Sequence, residues 1–138
     1  MKNEFRYFLP SLCVVAGCWV SLSPATAQEQ ARNIAIDILF PANLARTADA
    51  NCEEIELDSN AMRIYFLRSE QRFIEIGADA NRWLSVRYSR ADFSQHHANF
   101  ANTYGLTANS LRGEFCDAVA REIESGTTLG DLLSLKSN

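Results

Sequence analysis

This chain is poor in the residues and spacings that announce chemistry. None of its four cysteines stands in a Cys-x-x-Cys pair or close to a histidine, which removes the common redox and metal-binding signatures. Its two histidines, His96 and His97, are adjacent. Neighbours on a helix diverge by about 100°, so the two rings do not share one ion, and the usual i, i+4 pair is absent. The six glycines form no phosphate-cradling loop and no nucleophile elbow. Lysine is limited to Lys2 and Lys136, and the net charge is -4, the wrong sign for a nucleic-acid partner. The longest apolar run is shorter than the ~20 residues a spanning helix needs, and no segment is repetitive.

What is present begins at the N-terminus. Lys2 and Arg6 precede a stretch from Tyr7 to Leu22 without a charge, and Pro24-Ala25-Thr26-Ala27 follows with small residues before Gln28. A basic start, an apolar centre and a small-residue site are the layout of a secretory signal. Residues 1–27 are therefore expected to be removed between Ala27 and Gln28, leaving a periplasmic or secreted domain of residues 28–138. A second route is open through Val15-Ala16-Gly17-Cys18, which has the form of a lipoprotein processing box; acylation at Cys18 would tether the same domain to a membrane. Trp19-Val20-Ser21-Leu22 continues the apolar run past Cys18, which favours the first route.

The remaining 111 residues fit one domain. Cys13 and Cys18 lie in the expected signal, so Cys52 and Cys116 remain as an even pair, read as a structural disulfide. Closing a loop of about 65 residues corresponds to roughly 4 kcal/mol in the chain-entropy model.

Helical periodicity runs through this domain. Ile34 and Ile38 mark a first helix that Pro41 either kinks or follows with a new one. Beyond the proline, Leu44, Ala48, Cys52 and Ile55 continue one apolar stripe. The acidic run Glu53–Asp58 is expected to hold a break, with Asp58 or Ser59 capping a second helix that ends at Gly77. Its apolar face is read as Met62, Tyr65, Phe66, Phe73 and Ile76, widened by Leu67 and Ile74. Residues 79–90 mix a cap at Asp79 with a strand-like alternation of Leu84, Val86 and Tyr88; a helix is preferred because a lone strand has no partner. Phe93, His97, Phe100 and Tyr104 form another stripe, closed by Gly105. A last helix is capped at Thr107 or Asn109, faces the core with Leu111, Phe115, Val119 and Ile123, and stops at Gly126. Leu129, Leu132 and Leu133 then fold back over one end of the core. The expected architecture is all-α: one small domain of four or five helices tied by one disulfide.

Three groupings invite a chemical reading. Asp92, Ser94 and His97 carry the letters of a hydrolytic triad without an oxyanion hole beside them. Asp49, Glu53 and Glu54 read as a solvated helix end. His97 is placed in the core stripe and His96 in solvent. No catalytic, metal or cofactor residue is assigned. The clearer feature is charge segregation: residues 28–58 hold seven acids and two arginines, 59–90 six arginines and three acids, and 91–138 six acids and three bases. Arg63, Arg68, Arg72, Arg82, Arg87 and Arg90 either pair with the acidic flanks or form an interaction face.

Asn51-Cys52 with Ile55 after a helix, and the closing stretch Glu114 to Leu133 containing Phe115-Cys116, Gly126, Leu129 and Gly130, resemble a family of small exported alphaproteobacterial proteins classed as a domain of unknown function. That resemblance implies export, helicity and paired cysteines, and supplies no catalytic residue. The expectation is a non-enzymatic domain that works by contact with a protein partner in the cell envelope, as an accessory or stabilising subunit. The alternative is a binding module for a small apolar or anionic, lipid-like ligand held among Phe73, Trp83, Phe93 and Phe100.

Overall fold

The computed structural model describes residues 24–137. The basic start, Cys13 and Cys18 lie outside that range. The described part contains five α-helices and one small sheet: α1 (Pro24–Asn51), β1 (Ile55–Leu57), α2 (Ser59–Ile74), α3 (Ala80–Leu84), α4 (Ser94–Tyr104), α5 (Arg112–Ser125) and β2 (Leu133–Leu135). Short 3-10 turns precede α4 (Arg90–Phe93) and β2 (Gly130–Leu132). No described helix is long and apolar enough to cross a membrane.

The axis of the fold is α1, a single 28-residue helix that continues through Pro41. Pro24 takes its first position, where a missing N–H costs nothing. The expected cleavage junction Ala27-Gln28 therefore falls inside the first turn of a helix. At Pro41 the chain loses the amide that would bond the Asp37 carbonyl. Next to it, the Ile38 carbonyl accepts from the Tyr65 hydroxyl of α2 at 3.0 Å, tying the two helices together at the proline. Burial holds the helix together there: Ala35, Ile38, Ala42, Ala45 and Ala48 are fully buried on one stripe, and the four alanines let neighbouring elements pack closely on both sides of the proline.

Two apolar clusters lie along that stripe. The first gathers Ala42, Ala45 and Ala48 with Met62, Val119 and Leu132. The second joins Ala31, Ala35 and Ile38 to Phe73, with Trp83 and Tyr88 at its margin. Phe73, fully buried, anchors α2. Asp58 caps that helix, accepting from the amides of Asn60 and Ala61 at 2.9 and 2.8 Å. Gly77 then turns the chain with φ +68°, in the left-handed region that costs glycine little.

Several local expectations change. Leu67 and Ile74 are 56% and 64% exposed, so they do not widen the buried face of α2. The acidic break contains β1, which pairs antiparallel with β2 in the register Ile55↔Leu135 and Leu57↔Leu133. Three-residue strands carry too little alternation to be read from sequence. Helix α3 ends at Leu84, and Val86 turns outward, so the alternation after it is neither strand nor helix. The cap of α5 is Leu111 rather than Thr107 or Asn109. It is 73% exposed and outside the core, and its amide donates to Glu114 Oε2 at 2.6 Å. Thr107 serves the preceding turn, where its amide donates to Ser110 Oγ at 2.9 Å.

Cys52 and Cys116 are joined, with Cα atoms 5.6 Å apart. The bond ties the C-terminal end of α1 to α5. A second close tie lies at the other end of α5, where a Cβ on Gly130 would stand 2.0 Å from the Glu122 carbonyl oxygen. Only glycine lets the closing segment press against the helix backbone there.

Candidate functional site

A cleft of about 830 Å³ opens between α1, α4, the 105–111 turn and α5. Leu44 comes from α1, Phe100 from α4, Leu106 from the turn and Phe115 from α5. The Phe100 and Phe115 rings meet edge to face with centroids 6.3 Å apart. These four residues make an apolar lining, and the hydroxyls of Thr47, Ser94 and Ser110 lie among them. The cleft exists because α4 buries no residue completely. Its stripe is divided, with Phe93 closing the core below while Phe100 faces the cleft.

Arg90 and His97 are the basic groups of this cleft, and no Asp or Glu lines it. His97 is the more exposed of the two histidines, the reverse of the sequence expectation. It meets Phe40 edge-on at 5.1 Å. The covered part of the ring, and then the charges of Arg90 and His96, hold its pKa below the ordinary value of 6.5. His96 is instead partly buried against α1, stacked on Phe40 at 5.1 Å. Its Nε2 lies 3.2 Å from Asp37 Oδ1. Both rings meet Phe40 of α1, and His96 is the one that also reaches Asp37 on that helix.

The six arginines are all exposed, and those that line clefts are divided among several. Arg68 and Arg72 come together beside Asp37, Tyr65 and Thr128 in a cleft of about 370 Å³. Arg72 is paired there with Asp37 at 3.3 Å. Arg82 lies near the start of α1, its guanidinium 5.9 Å from the Trp83 ring centre. Arg90 belongs to the cleft between α1, α4 and α5, Arg63 bonds Asn60 Oδ1 at 2.9 Å along its own helix, and Arg87 stands in the exposed turn after α3.

The triad letters are not assembled. Asp92 accepts from the amide and hydroxyl of Ser89 at 2.6 and 2.9 Å and pairs with Arg32. The Ser89 hydrogen bonds, followed by Arg32, hold its carboxyl below the usual range. Asp49 accepts from the Leu57 amide at 3.0 Å, and Glu53 reaches Arg112 only at 3.9 Å. Among the described residues, no three His, Cys, Asp or Glu side chains gather as a metal-binding set.

One polar cluster escaped the sequence reading. The carboxylate of Glu122 accepts from the hydroxyls of Tyr104 and Thr127, and Thr127 Oγ1 accepts from the Gly130 amide at 3.1 Å. Accepting Tyr104's proton in a hydrogen bond, helped by partial burial, pushes the phenol up to about 12. These residues lie on three segments, and only the stripe position of Tyr104 hinted at the contact. The cluster holds α4, α5 and the closing segment together.

No protein-family model, curated protein or solved structure matches the chain. The assignment of a role therefore rests on the geometry alone.

Proposed function

We propose that the protein is an exported, non-enzymatic binding domain and that the cleft between α1, α4 and α5 holds an apolar ligand. The observation that carries this reading is the lining: Leu44, Phe100, Leu106 and Phe115 converge on one open space of about 830 Å³. Ligand sites are concave and mostly apolar, with a few polar groups that orient the ligand. Phe73 and Phe93, expected among the ligand-holding aromatics, are core residues, so the site needs Phe100 without them. Binding of the neutral dye N-phenyl-1-naphthylamine tests the reading. Fluorescence enhancement in the protein, and its loss in Phe100→Ala with the fold retained, is the expected result; no enhancement would overturn it.

A role in protein contact, as an accessory subunit on an envelope complex, has separate support. Leu67 and Ile74 stand exposed seven residues apart on α2, the spacing of one helix face, and Arg63 extends the same face. A partner with apolar side chains beside acidic ones would match it. A photo-crosslinker at position 67 should give one reproducible adduct in intact envelopes that Ile74→Asp removes; adducts insensitive to that change would count against this contact.

A further inference from the structure

We propose that the ligand of this cleft is a single-chain amphiphile with one anionic head, the head placed at Arg90 and the apolar chain lying along Leu44, Phe100, Leu106 and Phe115. The inference rests on the reading of the cleft as a binding site and adds the chemical class of what it binds.

The charge balance of the lining carries the argument. Arg90 is the one permanently charged side chain there, and no carboxylate lines the space. Arg32 pairs with Asp92, Arg72 with Asp37 at 3.3 Å and Arg112 with Glu53 at 3.9 Å, whereas the remaining described arginines are not ion-paired; of these, Arg90 is the one that lines the apolar cleft. Among the described residues Arg90 has no ion-pair partner within 4.0 Å. The acid nearest to it in sequence, Asp92, is taken by Ser89 and Arg32. A guanidinium with free donors at the edge of an apolar trough offers a carboxylate or phosphate a paired seat. His97 stands beside it with a lowered pKa, so above pH 6.5 the imidazole is neutral and Arg90 supplies the fixed charge.

The apolar lining decides against a bare anion. Leu44, Phe100, Leu106 and Phe115 come from four separate segments and would gain nothing from phosphate alone. Burying a hydrocarbon chain gains about fourfold in affinity for each methylene removed from water. A cationic amphiphile would meet Arg90 with like charge, and a neutral one would leave its donors unused.

The test compares heads on one tail. Displacement of N-phenyl-1-naphthylamine from the purified protein is measured with dodecanoate and dodecyltrimethylammonium below their micellar concentrations and with dodecanol below its solubility limit. Dodecanoate is expected to displace the dye at roughly tenfold lower concentration than dodecanol, in line with a charge-assisted hydrogen bond, and the ammonium should be weakest. Arg90→Gln should erase the difference between acid and alcohol while dye and alcohol binding persist, and Arg82→Gln, in another cleft, should leave it intact. Equal displacement by acid and alcohol, with dye bound, would overturn the anionic head and spare the binding site. Absence of dye binding would overturn the site itself. Lysophosphatidylglycerol and phosphatidylglycerol vesicles separate the sources: preference for either free single-chain lipid supports the proposal, whereas binding to vesicles alone, or tighter displacement by an acidic apolar peptide, would overturn it.

Discussion

Helices α4 and α5 are built alike and used differently. Each is amphipathic, and each ends on a left-handed glycine, Gly105 with φ +66° and Gly126 with φ +61°. Helix α5 buries Ala118 and Val119, carries Cys116 and packs so closely on the closing segment that position 130 must be glycine. Helix α4 has no fully buried residue; it rests on α1 through His96 and on α5 through Tyr104 and Phe100. An amphipathic face is thus a capacity for burial, and the neighbours decide how much of it is used. Where α5 spends its face on the core, α4 leaves part of its face lining a cleft.

The largest effect expected from breaking this contrast is on the side of α5. Replacing both cysteines by serine should lower unfolding stability by roughly 4 kcal/mol, from the 64-residue separation they span, as read by urea denaturation of oxidised protein against the double variant. If the loss were under ~1 kcal/mol, the bond would not be what holds α5 in place.

Gly130→Ala comes next. Its Cβ meets backbone rather than a flexible side chain, so the segment must shift, at a cost of about 1–3 kcal/mol by analogy with overpacked cores. Phe100→Ala on α4 should cost less than a core phenylalanine, under ~3 kcal/mol, because the ring is only partly covered; Phe73→Ala is the matched comparison and should lose more.

The subtlest test uses the hydroxyl that joins the two helices. Tyr104 has its pKa raised from 10.0 to about 12 in the folded protein. The folded state therefore holds that proton more tightly than the unfolded chain does. Its contribution to stability is complete below pH 10 and fades as pH rises towards about 12. Tyr104→Phe should flatten that part of the profile. An unchanged alkaline profile would show that Glu122 does not hold the phenol. His97 acts in the opposite range: with its folded pKa depressed, its contribution is present above 6.5 and declines as pH falls below it.

Much of this was readable from residue order. The stripe of Leu44, Ala48 and Cys52, the cap at Asp58, the stops at Gly105 and Gly126, and the pairing of Cys52 with Cys116 all depend on spacing along one chain segment or on elimination among four cysteines, whereas α2 stops at Ile74, short of the turn at Gly77. The pair β1 and β2 was hidden because three residues carry no period and their partners are 78 positions apart at Glu56 and Ser134. The outward turn of Leu67 and Ile74, and the exchange of roles between His96 and His97, were hidden because periodicity marks a face without naming what covers it.

Residue order is enough to set that helices form, roughly where they stop and which cysteines remain to be joined, since these follow from local dihedral preference, capping and composition. Long-range packing is what carries α1 through Pro41, presses Gly130 on the backbone of α5, and brings Leu44, Phe100, Leu106 and Phe115 into one space with Arg90. Those outcomes depend on how far each helix is rotated and how closely it is approached by segments distant in sequence. That is set by packing the whole chain at once, and no window of neighbouring residues contains it.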